Sequence, residues 1–346
     1  MTDNINCIKI DELEKQDIVN VATLPYCWEK FDNKTILISG GTGFIGTFIT
    51  NVFRYRNLKF NTNVRIVSLS RRGGISDKTV EFLKCDINQP ISSKGRIDYI
   101  LHLASNTHPK QYSEDPVGTI TTNVIGCNNL LKLATEKKAV FLLASSVEIY
   151  GQGSNEPMDE QYFGYLDCNV ARNGYNEAKR TCEALCQSYR QQYGLEIKIA
   201  RLARVFGADR KFDTKAMSQF MDKAVAGEDI ILKSKGKQRF SYCYVADAAS
   251  GILKILLEGK DGEAYNITDE DEGLTLGNYA EYIASLANKK VVYRIENNNG
   301  TSKATIALLD AKKLKSIGWK PLYKIQDGLK ITYKIKRGWL RADIEQ

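Results

Sequence analysis

Apolar positions along this chain gather into short β-rich runs, at 35–39, 64–69, 99–103, 140–144 and 197–202, with helically spaced stretches between them. Parallel strands need a crossover, and a crossover helix covers one face of the sheet, so this alternation predicts a mainly parallel α/β sheet with helices on both faces. After Gly207 the pattern loosens. It then predicts a helix around 214–225, a short strand at 230–232 and a loop carrying Lys233 to Arg239. The chain is expected to return to the sheet near 242–265 and to add further elements through Leu314 to Pro321.

The most informative local pattern is Lys34-Thr-Ile-Leu-Ile-Ser-Gly-Gly-Thr-Gly-Phe-Ile-Gly46, an apolar run that breaks into glycines three residues apart and resumes as a helix. It reads as a dinucleotide-binding turn. Gly40 permits the tight exit from the strand, Gly43 lets the backbone approach a pyrophosphate, and Gly46 lets the helix pack closely on the sheet. The helix N-terminus then faces the phosphates with free N–H groups. The organisation predicted is an N-terminal arm over 1–30 and a dinucleotide-binding domain over 31–206, rejoined by about 242–268. A smaller substrate-binding lobe takes 207–241 and 269–346.

Composition narrows the partners. The net charge of +8 over 346 residues suits anionic ligands such as nucleotides, but the basic residues are spread along the chain, which argues against nucleic acid. Lys334 to Arg337 is the one dense basic cluster, and it reads as a solvated face. Eight cysteines lie scattered in apolar or helical contexts, and the N-terminus lacks a signal-sequence pattern, so a reducing cytoplasm is expected. Cys182 and Cys186 fall in an amphipathic stripe with Ala178, Leu185 and Tyr189, which favours core packing. Only two histidines occur, neither at ligand spacing with a cysteine pair, so no metal is expected. No apolar run is long enough to cross a bilayer.

Far downstream, Tyr175-Asn-Glu-Ala-Lys179 follows Ala144-Ser-Ser-Val-Glu-Ile-Tyr-Gly151. A tyrosine four residues before a lysine shares its helical face, where the ammonium favours the phenolate of a group that ordinarily ionises near about pH 10. Tyr175 thereby becomes a usable base.

Together with the glycine turn, these elements resemble the extended short-chain dehydrogenase/reductase family. The likeness runs from about Lys34 to about Pro321 and keeps the family's order. It takes in Gly40, Thr42, Gly43, Phe44, Ile45 and Gly46 at the turn, and Asp86 and Ile87 after a third strand. Leu103, Ala104 and Ser105 follow a fourth strand, and Asn123 lies in a helix. Arg201 to Gly207 and Tyr242 to Asp247 complete the set. The resemblance implies a Rossmann-type doubly wound sheet, a homodimer built from helices flanking it, and a nucleotide-sugar substrate. It further implies that Tyr175 takes a sugar C4 hydroxyl proton, that Lys179 also contacts the nicotinamide ribose, and that Ser146 holds the reacting oxygen.

Glu148 stands at the position that divides the family's reactions. Simple 4-epimerases usually carry a small hydroxyl residue there, whereas nucleotide-sugar dehydratases and UDP-glucuronate decarboxylases carry Glu. The hexose 4,6-dehydratases also place an Asp just before it, where this chain has Val147. The loop Leu103-Ala-Ser-Asn-Thr-His-Pro-Lys-Gln-Tyr112 is similar to the decarboxylases' loop and makes Thr107 and Tyr112 candidate substrate contacts. Ser70, Arg71 and Arg72 end the second strand where an acidic residue would bind the NAD ribose; two arginines favour NADP over NAD. Arg204 stands where relatives often have an asparagine near the nucleotide diphosphate. Arg239 comes one residue before the family's diphosphate-gripping arginine, a place held here by Phe240.

The resemblance thus implies an NAD(P)-dependent enzyme that oxidises sugar C4 and then decarboxylates or dehydrates the ketone, UDP-glucuronate decarboxylase leading, for capsule, O-antigen or glycan precursors. Two alternatives stay open: a 4-epimerase, and a non-catalytic NADP-binding regulatory protein that Tyr175→Phe would leave unaffected.

Overall fold

The computed structural model describes residues 11–74, 76–105, 113–210, 214–269, 274–295 and 306–344. Its first six strands are β1 (Thr35–Ser39), β2 (Arg65–Ser70), β3 (Val80–Lys84), β4 (Tyr99–His102), β5 (Val140–Ser146) and β6 (Ile197–Leu202). Four short strands follow, β7 (Arg204–Phe206), β8 (Ile230–Leu232), β9 (Arg239–Phe240) and β10 (Tyr242–Tyr244), and then β11 (Ala264–Ile267). Strands β12 (Val291–Tyr293) and β13 (Ile306–Ala307) come last.

Seven of these strands form one sheet in the order β11-β6-β5-β4-β1-β2-β3. Every neighbouring pair in it is parallel. The order reverses between β1 and β4, the switch point at whose carboxyl edge open α/β sheets bind ligands. The α/β doubly wound expectation holds.

Helices α1 (Glu12–Ala22), α2 (Phe44–Phe60), α3 (Pro116–Lys137), α4 (Gly174–Tyr193), α5 (Ala216–Val225) and α6 (Val245–Glu258) precede α7 (Leu276–Leu286), α8 (Lys312–Ser316) and α9 (Ile325–Ile344). One sheet face is covered by α2 and α6, whose Ile49, Val52, Phe53, Ile252 and Leu256 pack on Ile36, Ile38 and Ile66. The other is covered by α3 and α4, which bring Cys127, Leu130, Leu131, Cys182 and Cys186 onto Leu37, Ile100 and Phe141. The cysteine stripe is therefore core, as its spacing predicts.

The region read as an arm contains a helix that joins the body. In α1, Asp11 accepts the Leu13 N–H as an N-cap, and Ile18, Val21 and Ala22 are buried. Asp17, 2% exposed, accepts hydrogen bonds from the hydroxyls of Tyr244 and Tyr323. Burial pushes its carboxyl above the usual range, against the lowering effect of both hydroxyls. After β6 the chain makes three two-stranded parallel pairs, β10 with β7, β12 with β8, and β13 with β9, instead of returning directly to the sheet. It rejoins at β11, after α6 has crossed over.

Candidate active site

The carboxyl edge of β1 is shaped by glycines. Gly40 has φ +75°, and a Cβ there would meet the Ala104 backbone N at 2.8 Å. A Cβ on Gly46 would come 2.4 Å from the Gly40 carbonyl oxygen. Gly43 precedes α2 and has no side chain to cap its first turn, so Phe44, Ile45 and Gly46 open the helix with main-chain donors pointed at the switch point. Leu103 and Ala104 close the opposite side, their N–H groups reaching the Ser39 carbonyl and hydroxyl oxygens at 3.1 and 3.3 Å. A side chain would fill this cradle; a pyrophosphate fits it.

At the end of β2, the Thr42 hydroxyl lies 3.2 Å from that of Ser70, which also accepts the Arg72 N–H at 3.3 Å. Arg71 and Arg72 are exposed beyond it. Asp86 is exposed, whereas Ile87 is buried against Gly126 of α3, and the Ile87 carbonyl accepts from Asn129. Ser105 donates to the Asn123 side chain at 2.8 Å, and Asn123 is fully buried. Thr107 and Tyr112 lie outside the described residues.

Helix α4 is fastened to the end of β5 by a row of side chains. Lys179, 3% exposed, donates to the Ala144 carbonyl at 2.9 Å, and its nitrogen lies 5.9 Å from the centre of the Tyr175 ring. Tyr175 is 4% exposed. Four residues on, Glu183 accepts from the Ser145 hydroxyl at 2.5 Å and pairs with Arg201 of β6 through two nitrogens. Asn176 donates to the Glu148 carbonyl, and Arg180 to the Ile149 carbonyl at 2.7 Å. Ser146, the last residue of β5, accepts the Glu148 N–H and starts the 3-10 turn Val147–Tyr150. Ser146, Glu148, Tyr175 and Lys179 are thus carried by one rigid strand, turn and helix unit.

The Glu148 carboxylate has two partners, which spacing alone does not reveal. Its Oε2 accepts from Asn176 at 3.2 Å, and its Oε1 pairs with Arg204 Nη2 at 3.2 Å. Arg204, which stands where relatives often have an asparagine near the diphosphate, sets its guanidinium against Glu148, with its carbon 3.8 Å from the centre of the Phe240 ring. Arg239 lies in β9, half-buried, bridged to Thr275.

His102 also escapes the motif reading. It is 1% exposed, its Nδ1 lies 2.8 Å from the Ser39 hydroxyl, and its Nε2 finds no hydrogen-bond partner among the described residues. Burial, then the nearby Lys179 charge, pushes the imidazole down to about 3. Glu183 is legible in hindsight, since 175, 179 and 183 repeat at the four-residue spacing of one helix face.

Sheet order, glycine turn and parallel strands define a Rossmann-type α/β protein, with Tyr175 and Lys179 beside the end of β5. The sequence pattern of the NAD dependent epimerase/dehydratase family matches residues 36–268. UDP-glucuronic acid decarboxylase 5 of Arabidopsis thaliana is 33% identical over 306 residues, 86% of this chain and 87% of that one. The UDP-glucose 4-epimerase of Thermotoga maritima, crystallised with UDP-glucose, superposes with a TM-score of 0.77 at 24% identity, covering 88% of this chain and 99% of that one. The dTDP-glucose 4,6-dehydratase DesIV of Streptomyces venezuelae, crystallised with NAD, superposes with a TM-score of 0.76 at 22% identity, covering 88% and 98%. These two structural likenesses bear on the fold. The chain belongs to the NAD dependent epimerase/dehydratase family, whose members are NAD-dependent enzymes. Among the described residues, no helix is long and apolar enough to cross a membrane.

Proposed function

We propose that the chain decarboxylates a UDP-hexuronate, UDP-glucuronate first among them, by oxidising C4 and using the resulting ketone to release the C6 carboxylate. The observation that carries this reading is the place of Glu148: two residues beyond Ser146 and hydrogen-bonded by Asn176, the neighbour of Tyr175. That puts a carboxylate beside the C4 machinery, where a dehydratase or decarboxylase needs one and a simple epimerase does not. The likeness to the Arabidopsis decarboxylase supports the same choice.

In this reading the Gly40 to Gly46 turn, Leu103, Ala104, Ser105, Asn123 and the loop of Asp86 and Ile87 hold the cofactor. When bound there, the cofactor would supply the acceptor, and later the donor, of a hydride at C4. Tyr175 accepts the C4 hydroxyl proton, aided by the positive charge of Lys179, and Ser146 orients the C4 oxygen. The C5–C6 bond then breaks with its electron pair drawn into the C4 carbonyl, carbon dioxide leaves, and C5 takes up a proton that Glu148 manages. NADP is favoured over NAD because the forked guanidiniums of Arg71 and Arg72 suit a 2′-phosphate.

A homodimer joined through α3 and α4 is supported by Val117, Ile120 and Ile125, apolar side chains that α3 leaves exposed. Free cysteines support a cytoplasmic enzyme, and the product would feed capsule, O-antigen or glycan synthesis. The test is mass spectrometry of UDP-, GDP-, CDP- and dTDP-sugars incubated with the protein and NAD or NADP. Loss of carbon dioxide from a UDP-hexuronate is expected. Unchanged mass with a changed retention time would mean epimerisation instead.

A further inference from the structure

We infer that Arg204 is the residue that recognises the sugar's carboxylate, exchanging its contact with Glu148 for the C6 carboxylate of the substrate. This rests on the reading that the substrate is a hexuronate. Three observations lead to it.

The Arg204 backbone is fixed, because β7 pairs with β10 in a register that sets Arg204 opposite Tyr242, and the Arg204 N–H bonds the Ser241 carbonyl at 3.1 Å. Its guanidinium lies on the Phe240 ring, a surface that holds a flat cation in plane but offers no acceptor at its edges. All five N–H donors must therefore be met at the rim. Nη2 meets Glu148, while Nη1 is covered and finds no partner among the described residues. A buried cationic donor without an acceptor is costly, and a second carboxylate at that rim removes the cost.

Glu148 tolerates the exchange. Its Oε2 keeps Asn176, so losing Arg204 does not strand the carboxylate. Binding a carboxylate-bearing sugar thus does two things at once: it satisfies the arginine, and it frees Oε1 of Glu148 for proton handling at C5. A neutral hexose does neither. Selection of hexuronate over hexose then resides in Arg204, and the diphosphate is left to other groups.

The test is calorimetric binding of UDP, UDP-glucose and UDP-glucuronate to cofactor-loaded protein in a Tyr175→Phe background, where the ligand is not consumed. Arg204→Gln should weaken UDP-glucuronate by about tenfold or more, the scale of one desolvated charge pair, and change UDP and UDP-glucose by less than about twofold. Arg204→Lys should recover part of the loss. Equal weakening of all three ligands, or none of UDP-glucuronate, would overturn the inference. Carbon dioxide release by the unaltered enzyme is read separately: if it is missing while the carboxylate-selective loss remains, the proposed reaction fails and the role of Arg204 stands.

Discussion

Asn176 donates through one side-chain nitrogen to both the main-chain carbonyl of Glu148, at 2.8 Å, and its carboxylate, at 3.2 Å. The residue beside the candidate base thereby sets where the candidate second-step carboxylate points. Glu148→Gln should spare C4 oxidation and slow proton uptake at C5, the step after carbon dioxide leaves, by about 10²-fold or more, the usual scale of a positioned proton-transfer group. Rapid-quench analysis should show the 4-keto sugar accumulating with reduced cofactor. Equal loss of both steps would remove Glu148 from the second one.

Arg201 and Glu183 make a buried two-nitrogen pair, with side chains 11% and 12% exposed. Arg201 also donates to the Tyr150 hydroxyl at 3.0 Å and the Glu160 carbonyl at 2.8 Å. Glu183→Ala leaves that guanidinium uncompensated and should cost about 3–5 kcal/mol in denaturant unfolding. A loss within about 0.5 kcal/mol would mean the pair is dispensable to the α4 and β5 unit.

The sheet strands are legible because strands buried on both faces read as continuous apolar runs, as Ile36 to Ile38 and Phe141 to Ala144 do. Tyr175 and Lys179 are legible because helical spacing is local. Helix α1 is not, since its buried set includes Asp17, and a stripe containing an acid looks like polar arm. Nor is the contact of Arg204 with Glu148, which are 56 residues apart and meet only through the pairing of β7 with β10. Sequence position sets Arg204 where relatives often have an asparagine near the diphosphate; its pairing with Glu148 becomes visible only in the tertiary structure.

Arg71 and Arg72 are exposed at the end of β2. Replacing both with Ala should weaken NADP by about tenfold or more while leaving NAD within about threefold, because only NADP offers a phosphate to pair. Fluorescence titration of the two cofactors checks it. Parallel weakening of both would deny the arginines a part in cofactor choice.

His102 is held neutral. Its pKa falls from 6.5 to about 3 in the folded protein, so below pH 6.5 the unfolded chain binds a proton that the folded one refuses. Stability is therefore lost as pH falls from about 6.5 toward 3, by about 1.4 kcal/mol per pH unit from this group. Unfolding of wild type and His102→Gln across that range should show the variant gaining on wild type as pH falls. A constant difference would place the imidazole in a solvated setting.

In the proposed reaction, the ketone formed at C4 drives loss of the C6 carboxylate. Its most direct test is a single turnover of UDP-glucuronate in deuterated water with cofactor-loaded enzyme, followed by mass and proton NMR spectra of the product. The expected product is a UDP-pentose, lighter by carbon dioxide, with solvent deuterium at C5, and none is expected from Tyr175→Phe. A hexuronate of unchanged carbon count, inverted at C4 and free of deuterium at C5, would contradict it.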